Sequence, residues 1–312
     1  MNISKFLKNL NYYLGVKIFK KDNLFTYSLY TYFLNTFIKK KITDSATKNL
    51  FDNGFIDIKE IDKEFIKDIN FELSKEILDD NDPLIIKFKI TDNLKTYLKK
   101  FVTLKTNYSL NILKKLFKCN VYITTIQIRR TYNIDKEKFK DKSIYSENFH
   151  CDKYVGTHYK QFIYLNDVND SNGPFTYLTK SGTKKFVKMF DFKNRFTNDI
   201  VKGDYTDYEN YFLGKAGSSI LVNTTECLHR AGIPHKGKYR DVIVITYVAS
   251  PEISDPDPLY FEKKFQQTFW DSEHEGIFSK KLAKFKNNKQ AIKNLLKHIN
   301  LVKKFNDNSY SS

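Results

Sequence analysis

Cysteine is nearly absent from this 312-residue sequence. The three present, Cys119, Cys151 and Cys227, form no CxxC pair, which excludes a disulfide framework, argues against a structural zinc site and makes a reducing cytoplasm the expected setting. Glycine (11) and proline (6) are also scarce, so collagen-like and low-complexity architectures are excluded. No stretch approaches the ~18 uncharged apolar residues of a membrane span. Lys5, Lys8 and Lys17 interrupt any apolar core of a secretory signal. Acids and arginines are short as well. There are 53 basic residues against 36 acidic ones, a net charge of +17, but only Arg129, Arg130, Arg195, Arg230 and Arg240 are arginine. Groove and phosphate readers use the bidentate arginine fork, so the excess charge reads as a solvated lysine surface and no nucleic-acid partner is expected. Each arginine thereby becomes informative.

What the chain does contain is core material: hydrophobic residues make up 41% and aromatic residues 16%. Residues 1–44 alternate lysines with Phe6, Leu10, Tyr13 and similar residues at helical spacing and read as a basic helical segment. For such a segment, packing on the main domain is favoured over contact with a membrane surface. A helix is expected to start at Asp44 or Ser45, followed by a turn at Asn53-Gly54, a strand over FIDI and a second helix. Residues 92–118 read as helical with a break near Asn107. From Val121 the period changes to two. VYITTIQIRRTY, FHCDKYVG, KQFIYLNDV, PFTYLTK, SSILVNT and RDVIVITYVAS are expected strands, bounded by turn clusters such as Asn169 to Pro174. Closely spaced short strands point to a β-sandwich or jelly roll. Residues 251–312 read as a linker, SPEISDPDP, and a basic helical extension. The expected organisation is a mainly β domain over 45–250 with helical extensions at 1–44 and 251–312, as a monomer or homodimer.

One constellation in the strand-rich half carries chemistry. Residues at i and i+2 of a strand share a face, so His150 and Asp152 can point together into a barrel while Cys151 points away. His229, from a distant strand, adds a second imidazole. Two histidines and one carboxylate on one side of a metal form the facial triad of non-haem Fe(II) oxygenases. Histidines nearby compete for the role: His158 is expected in a loop facing solvent or substrate, and His235 in a turn.

The order HCD at 150–152, FIYLNDVNDSNGPFTYLTKSG at 162–182 and LHRAG followed by Arg240 resembles the phytanoyl-CoA dioxygenase-like family of Fe(II)/2-oxoglutarate dioxygenases, from about Gly54 to Val248. The resemblance implies a double-stranded β-helix (cupin-like jelly roll) core with His150, Asp152 and His229 as iron ligands. It also places Arg240 on the far carboxylate of 2-oxoglutarate, a pairing suited to a bidentate guanidinium. By the same resemblance Phe162 lines the cosubstrate pocket, with Tyr164 on its strand face, and Gln127 contacts cosubstrate or substrate. The alternative for Phe162 and Tyr164 is core packing, and for Gln127 a solvent-facing position. Two departures from the family are Lys180-Ser181-Gly182-Thr183 in place of a Gly-Ser-His, and Val242 where many related oxygenases carry a hydroxyl. The implied activity is O2-dependent hydroxylation of a small molecule with release of succinate and CO2. Asp152 argues against halogenation, since halogenating relatives replace that carboxylate. A double-stranded β-helix that only binds, or the same chemistry on nucleic acid or a carrier-linked anion, are the competing functions.

Overall fold

The computed structural model describes residues 42, 44–58, 61–75, 85–105, 107–133, 148–152, 157–189, 208–251, 253–264, 269, 270, 293, 296 and 297. Residues 1–41 of the basic segment expected over 1–44 and the loop Asp135 to Ser146 lie outside them. So does nearly all of the C-terminal basic extension.

The first described helix, α1 (Ser45–Asn53), starts where Asp44 accepts the Thr47 N–H and ends at Gly54, whose φ of 85° is left-handed. A side chain could not replace that glycine's hydrogen, because a Cβ would lie 2.5 Å from the Cys227 sulfur. Strand β1 (Phe55–Ile58) follows, then α2 (Lys63–Leu73), β2 (Ile85–Lys87), α3 (Asp92–Thr103) and α4 (Tyr108–Phe117). Asn107 separates α3 from α4. Its Oδ1 accepts the Leu110 N–H to start α4 while its Nδ2 donates to the Val102 carbonyl that α3 leaves open.

The remaining elements are β3 (Val121–Tyr132), β4 (His158–Tyr164), β5 (Phe175–Tyr177), α5 (Lys180–Met189), β6 (Asn210–Phe212), β7 (Ser219–Val222), β8 (His229–Ala231), β9 (Tyr239–Ala249) and α6 (Tyr260–Lys264). They form a six-stranded sheet in the order β1-β7-β4-β9-β3-β2 and a three-stranded sheet in the order β6-β5-β8. All pairings are antiparallel. The fold is mainly β, a jelly roll with helices on one side.

Alternation along the central strands separates two cores. Ile128, Ile243 and Ile163 lie in one row across β3, β9 and β4. This face packs against the helices through Leu94, Leu98, Leu113 and Leu116 in the larger cluster. The opposite face holds Gln127, Val244 and Phe162 in one row and Arg129, Val242 and Tyr164 in the next. It meets the small sheet: Phe162 stacks on Phe175 at 4.3 Å and Tyr164 on Phe212 at 4.5 Å. The Tyr164 hydroxyl donates to the Phe212 carbonyl and accepts the Phe175 N–H, so it ties the two sheets together.

Three expectations need correction. FHCDKYVG is not a strand: among its described residues only His150 pairs, as an isolated bridge to His229. The strand expected over PFTYLTK ends at Tyr177, and its Lys180 instead opens α5, a helix held by Phe186, which is fully buried against Phe149, Leu178 and Leu228. His158 opens β4 and is buried, not loop-borne. The SPEISDPDP segment is strapped to β3, since the Tyr122 hydroxyl lies 2.6 Å from the carbonyls of both Ile253 and Asp255. Beyond it, Phe261 and Phe269 are buried in the larger core. Among the described residues, no helix is long and apolar enough to cross a membrane.

Candidate metal centre

The backbone brings the triad together before any side chain contributes. His150 N–H donates to the His229 carbonyl and His229 N–H to the His150 carbonyl, both at 3.0 Å. Asp152 N–H then bonds the Thr224 carbonyl at 2.8 Å, which anchors the HCD segment beside the turn that leads into β8. The i, i+2 placement inferred from the sequence therefore holds for side-chain direction, although a bridge supplies it in place of a full strand.

The donor atoms converge. Both Nε2 atoms, of His150 and of His229, lie 3.8 Å from the same Asp152 Oδ1, and one ligand atom from each residue falls within 4.8 Å of the others. Among the described residues no other cluster of His, Cys, Asp and Glu can hold a metal ion. The other ring nitrogens are engaged: His150 Nδ1 lies 2.8 Å from the Asn148 carbonyl and His229 Nδ1 lies 3.1 Å from the Cys227 carbonyl. A carbonyl oxygen only accepts, so Nδ1 carries the proton and Nε2 presents its lone pair toward the shared centre. This is how metal-binding imidazoles are oriented. His235 is exposed and stays outside the centre, as does His158.

A cavity of about 100 Å³ opens on the triad, lined also by Arg129, Thr131, Lys160, Phe162, Tyr164 and Arg240 among others. A larger one of about 450 Å³, lined by Phe65, Tyr97, Phe101 and Gln161, lies behind the six-stranded sheet and contains none of the triad. Arg240 is 4% exposed. Its Nη2 donates to the Thr131 hydroxyl at 3.3 Å, whereas its Nη1 is buried with no partner. An orphaned buried donor on a cation is costly, and an anion would satisfy it. Burial pulls this guanidinium below its ordinary value, opposed by the neighbouring Tyr164. In the same setting burial pushes the Tyr164 phenol up to about 12.

Phe162 lines this cavity and also packs in the inter-sheet core. Gln127 does not face solvent: it is buried on the site's face of β3 and accepts a hydrogen bond from Arg129, with its own Nε2 unpartnered. It is not part of the cavity wall. Lys160 was not foreseen, yet its Nζ lies 3.0 Å from Asp152 Oδ2, both side chains being about nine-tenths buried. Burial alone would raise the Asp152 carboxyl; the Lys160 ammonium is the largest of the effects that outweigh it and hold the carboxyl far below the usual range. Period two along β4 was the available signal, since residues 160, 162 and 164 share one face.

No protein-family model matches the chain, and no curated protein matches it. Solved structures similar to it include SnoN, a non-heme alpha ketoglutarate-dependent epimerase from nogalamycin biosynthesis (13% identity over 66% of this chain and 82% of that one, TM-score 0.45). HygX from Streptomyces hygroscopicus, with nickel, 2-oxoglutarate and hygromycin B bound, is 12% identical over 67% of this chain and 87% of its own, TM-score 0.45. EctD from S. alaskensis, with 2-oxoglutarate and 5-hydroxyectoine, is 13% identical over 67% and 76%, TM-score 0.44.

Proposed function

We propose that the chain is an Fe(II)/2-oxoglutarate-dependent dioxygenase that oxidises an unactivated C–H bond of a small molecule, with hydroxylation as the default outcome. One observation carries the reading: an iron-type donor set and an orphaned, buried guanidinium share a single cavity. The phytanoyl-CoA dioxygenase-like family is the finer assignment, supported by the three sequence blocks. The catalytic unit is assigned to residues 45–250, with 1–44 and 251–312 as extensions and a cytoplasmic setting.

His150, Asp152 and His229 would hold the metal on one face, leaving its other positions open. When bound, iron and 2-oxoglutarate supply the oxidative chemistry, in which O2 is consumed and the cosubstrate leaves as succinate and CO2. The chain's own contribution is placement. Arg240 grips the far carboxylate of the cosubstrate through its free Nη1, with Thr131 fixing the plane of the guanidinium. Lys160 balances the carboxylate of Asp152. Phe162, Phe175, Val242 and Val244 form an apolar wall that excludes water from the reacting centre.

The test is succinate formation from 2-oxoglutarate by the full chain in air, with and without Fe(II). Iron- and O2-dependent succinate that disappears in Asp152→Ala is expected. Robust turnover without Fe(II) would sink the proposal.

A further inference from the structure

The charges lining the metal cavity do not balance, and the imbalance speaks to the substrate. Among the described residues Asp152 is the one acid in the cavity wall, and Lys160 neutralises it at 3.0 Å. Arg230 also reaches the wall but is taken by Glu209, whose two carboxylate oxygens lie 2.9 and 3.0 Å from its Nη2. On the reading above, Fe(II) and the 2-oxoglutarate dianion cancel one another. Two guanidiniums then remain, Arg240 and Arg129.

Arg240 is committed to the cosubstrate. Arg129 is not committed to anything of opposite charge. It donates to the Gln127 side-chain oxygen, its Nε is buried with no partner, and among the described residues no carboxylate pairs with it. Its backbone stands opposite Val242 on β9, while Arg240 stands opposite Thr131 two positions further along β3. The two cations stand diagonally across adjacent strands on the face that lines one cavity. A half-buried cation beside a second buried cation is a poor neighbour in a low-dielectric cavity. An anion delivered with the substrate relieves that cost.

We propose that Arg129 is the specificity-determining anchor for a carboxylate on the substrate, so that the oxidised molecule is a small organic acid. The planar fork of arginine matches a carboxylate in two parallel hydrogen bonds. The apolar wall of Phe162, Phe175, Val242 and Val244 would take the hydrocarbon part bearing the C–H bond. Gln127, through its bond to Arg129, is a positioning residue for that anchor. This inference rests on the oxygenase reading for the role of Arg240.

The experiment uses the full chain loaded with Fe(II) and excess 2-oxoglutarate without O2, so that no turnover occurs. Butyrate and butyramide are the probes, identical in shape except for charge, and their dissociation constants are read by ligand-observed NMR. Butyrate is expected to bind at least about 10-fold more tightly than butyramide, a hydrogen-bonded charge pair being at stake. Arg129→Gln should cut that preference to within about 3-fold while leaving the 2-oxoglutarate dissociation constant within about 3-fold. Arg129→Lys, which keeps the charge and loses the fork, should restore part of it and serves if the glutamine variant does not fold.

Equal binding of the two probes, no binding of either, or a preference that survives in Arg129→Gln would overturn the anchor. A 2-oxoglutarate affinity lost with Arg129 and not with Arg240 would overturn it too, making Arg129 the cosubstrate contact. Failure of the oxygenase reading looks different: Fe(II) and 2-oxoglutarate then bind no better to the wild-type chain than to Asp152→Ala.

Discussion

The two faces of the six-stranded sheet are made of alternate residues of the same strands, and they do different work. Along β9, Ile243, Ile245 and Tyr247 turn to the helices, while Arg240, Val242 and Val244 turn to the small sheet and the metal cavity. The helix-facing side is almost uniformly apolar. Its one buried amide, Gln161, is satisfied on every side by Ser109, Ser219 and Tyr247. The cavity-facing side contains Gln127, Arg129 and Arg240, each with a buried polar atom that has no partner. Unsatisfied groups of this kind cost stability, so on the proposed reading their concentration on one face is where a ligand would complete the structure. The contrast separates a face that holds the fold from a face that is preorganised for chemistry.

Removing a triad ligand should have the largest effect. His150→Ala or Asp152→Ala should lower metal affinity by ~100-fold or more while the thermal transition of the metal-free protein persists, measured by metal content and calorimetry. Unchanged metal binding would remove the functional half of the contrast. Ile245→Ala tests the other half. It should destabilise the fold by about 2–5 kcal/mol in urea unfolding with metal affinity preserved, because the cavity it leaves lies behind the sheet. A smaller effect is expected from Arg240→Gln, which should weaken 2-oxoglutarate by roughly 10- to 100-fold with the metal still bound, read by titration calorimetry. Smallest is Asn107→Ala, which removes the cap of α4 and should cost about 1 kcal/mol with no change at the centre.

Much of the helix-facing architecture was legible because its signals are local. Asp44 and Asn107 cap the helices they were expected to bound, and VYITTIQIRRTY forms a strand over its full length. The triad was legible from i, i+2 spacing plus a distant histidine. The failures share a physical cause. Helix α5 contains Ser181 and Gly182, poor helix formers, and exists because Phe186 finds a tertiary pocket that no local pattern announces. Lys160 and Arg129 looked like two more solvated cations in a lysine-rich chain. What distinguishes them is which face of the strand they occupy, and that is settled by pairing register, not by composition.

The reciprocal bonds between His150 and His229 have a kinetic and thermodynamic corollary. These residues are about 80 positions apart in the chain, and closing a loop of that length costs roughly 4 kcal/mol of chain entropy. In this fold the closure is already made, with two backbone hydrogen bonds joining the two segments. An ion bound by the triad would therefore meet a finished cradle and would contribute its binding free energy as protection against unfolding. Partial unfolding that separates β8 from the HCD segment would release the ion in a single event, so metal escape should report the opening rate of that one bridge.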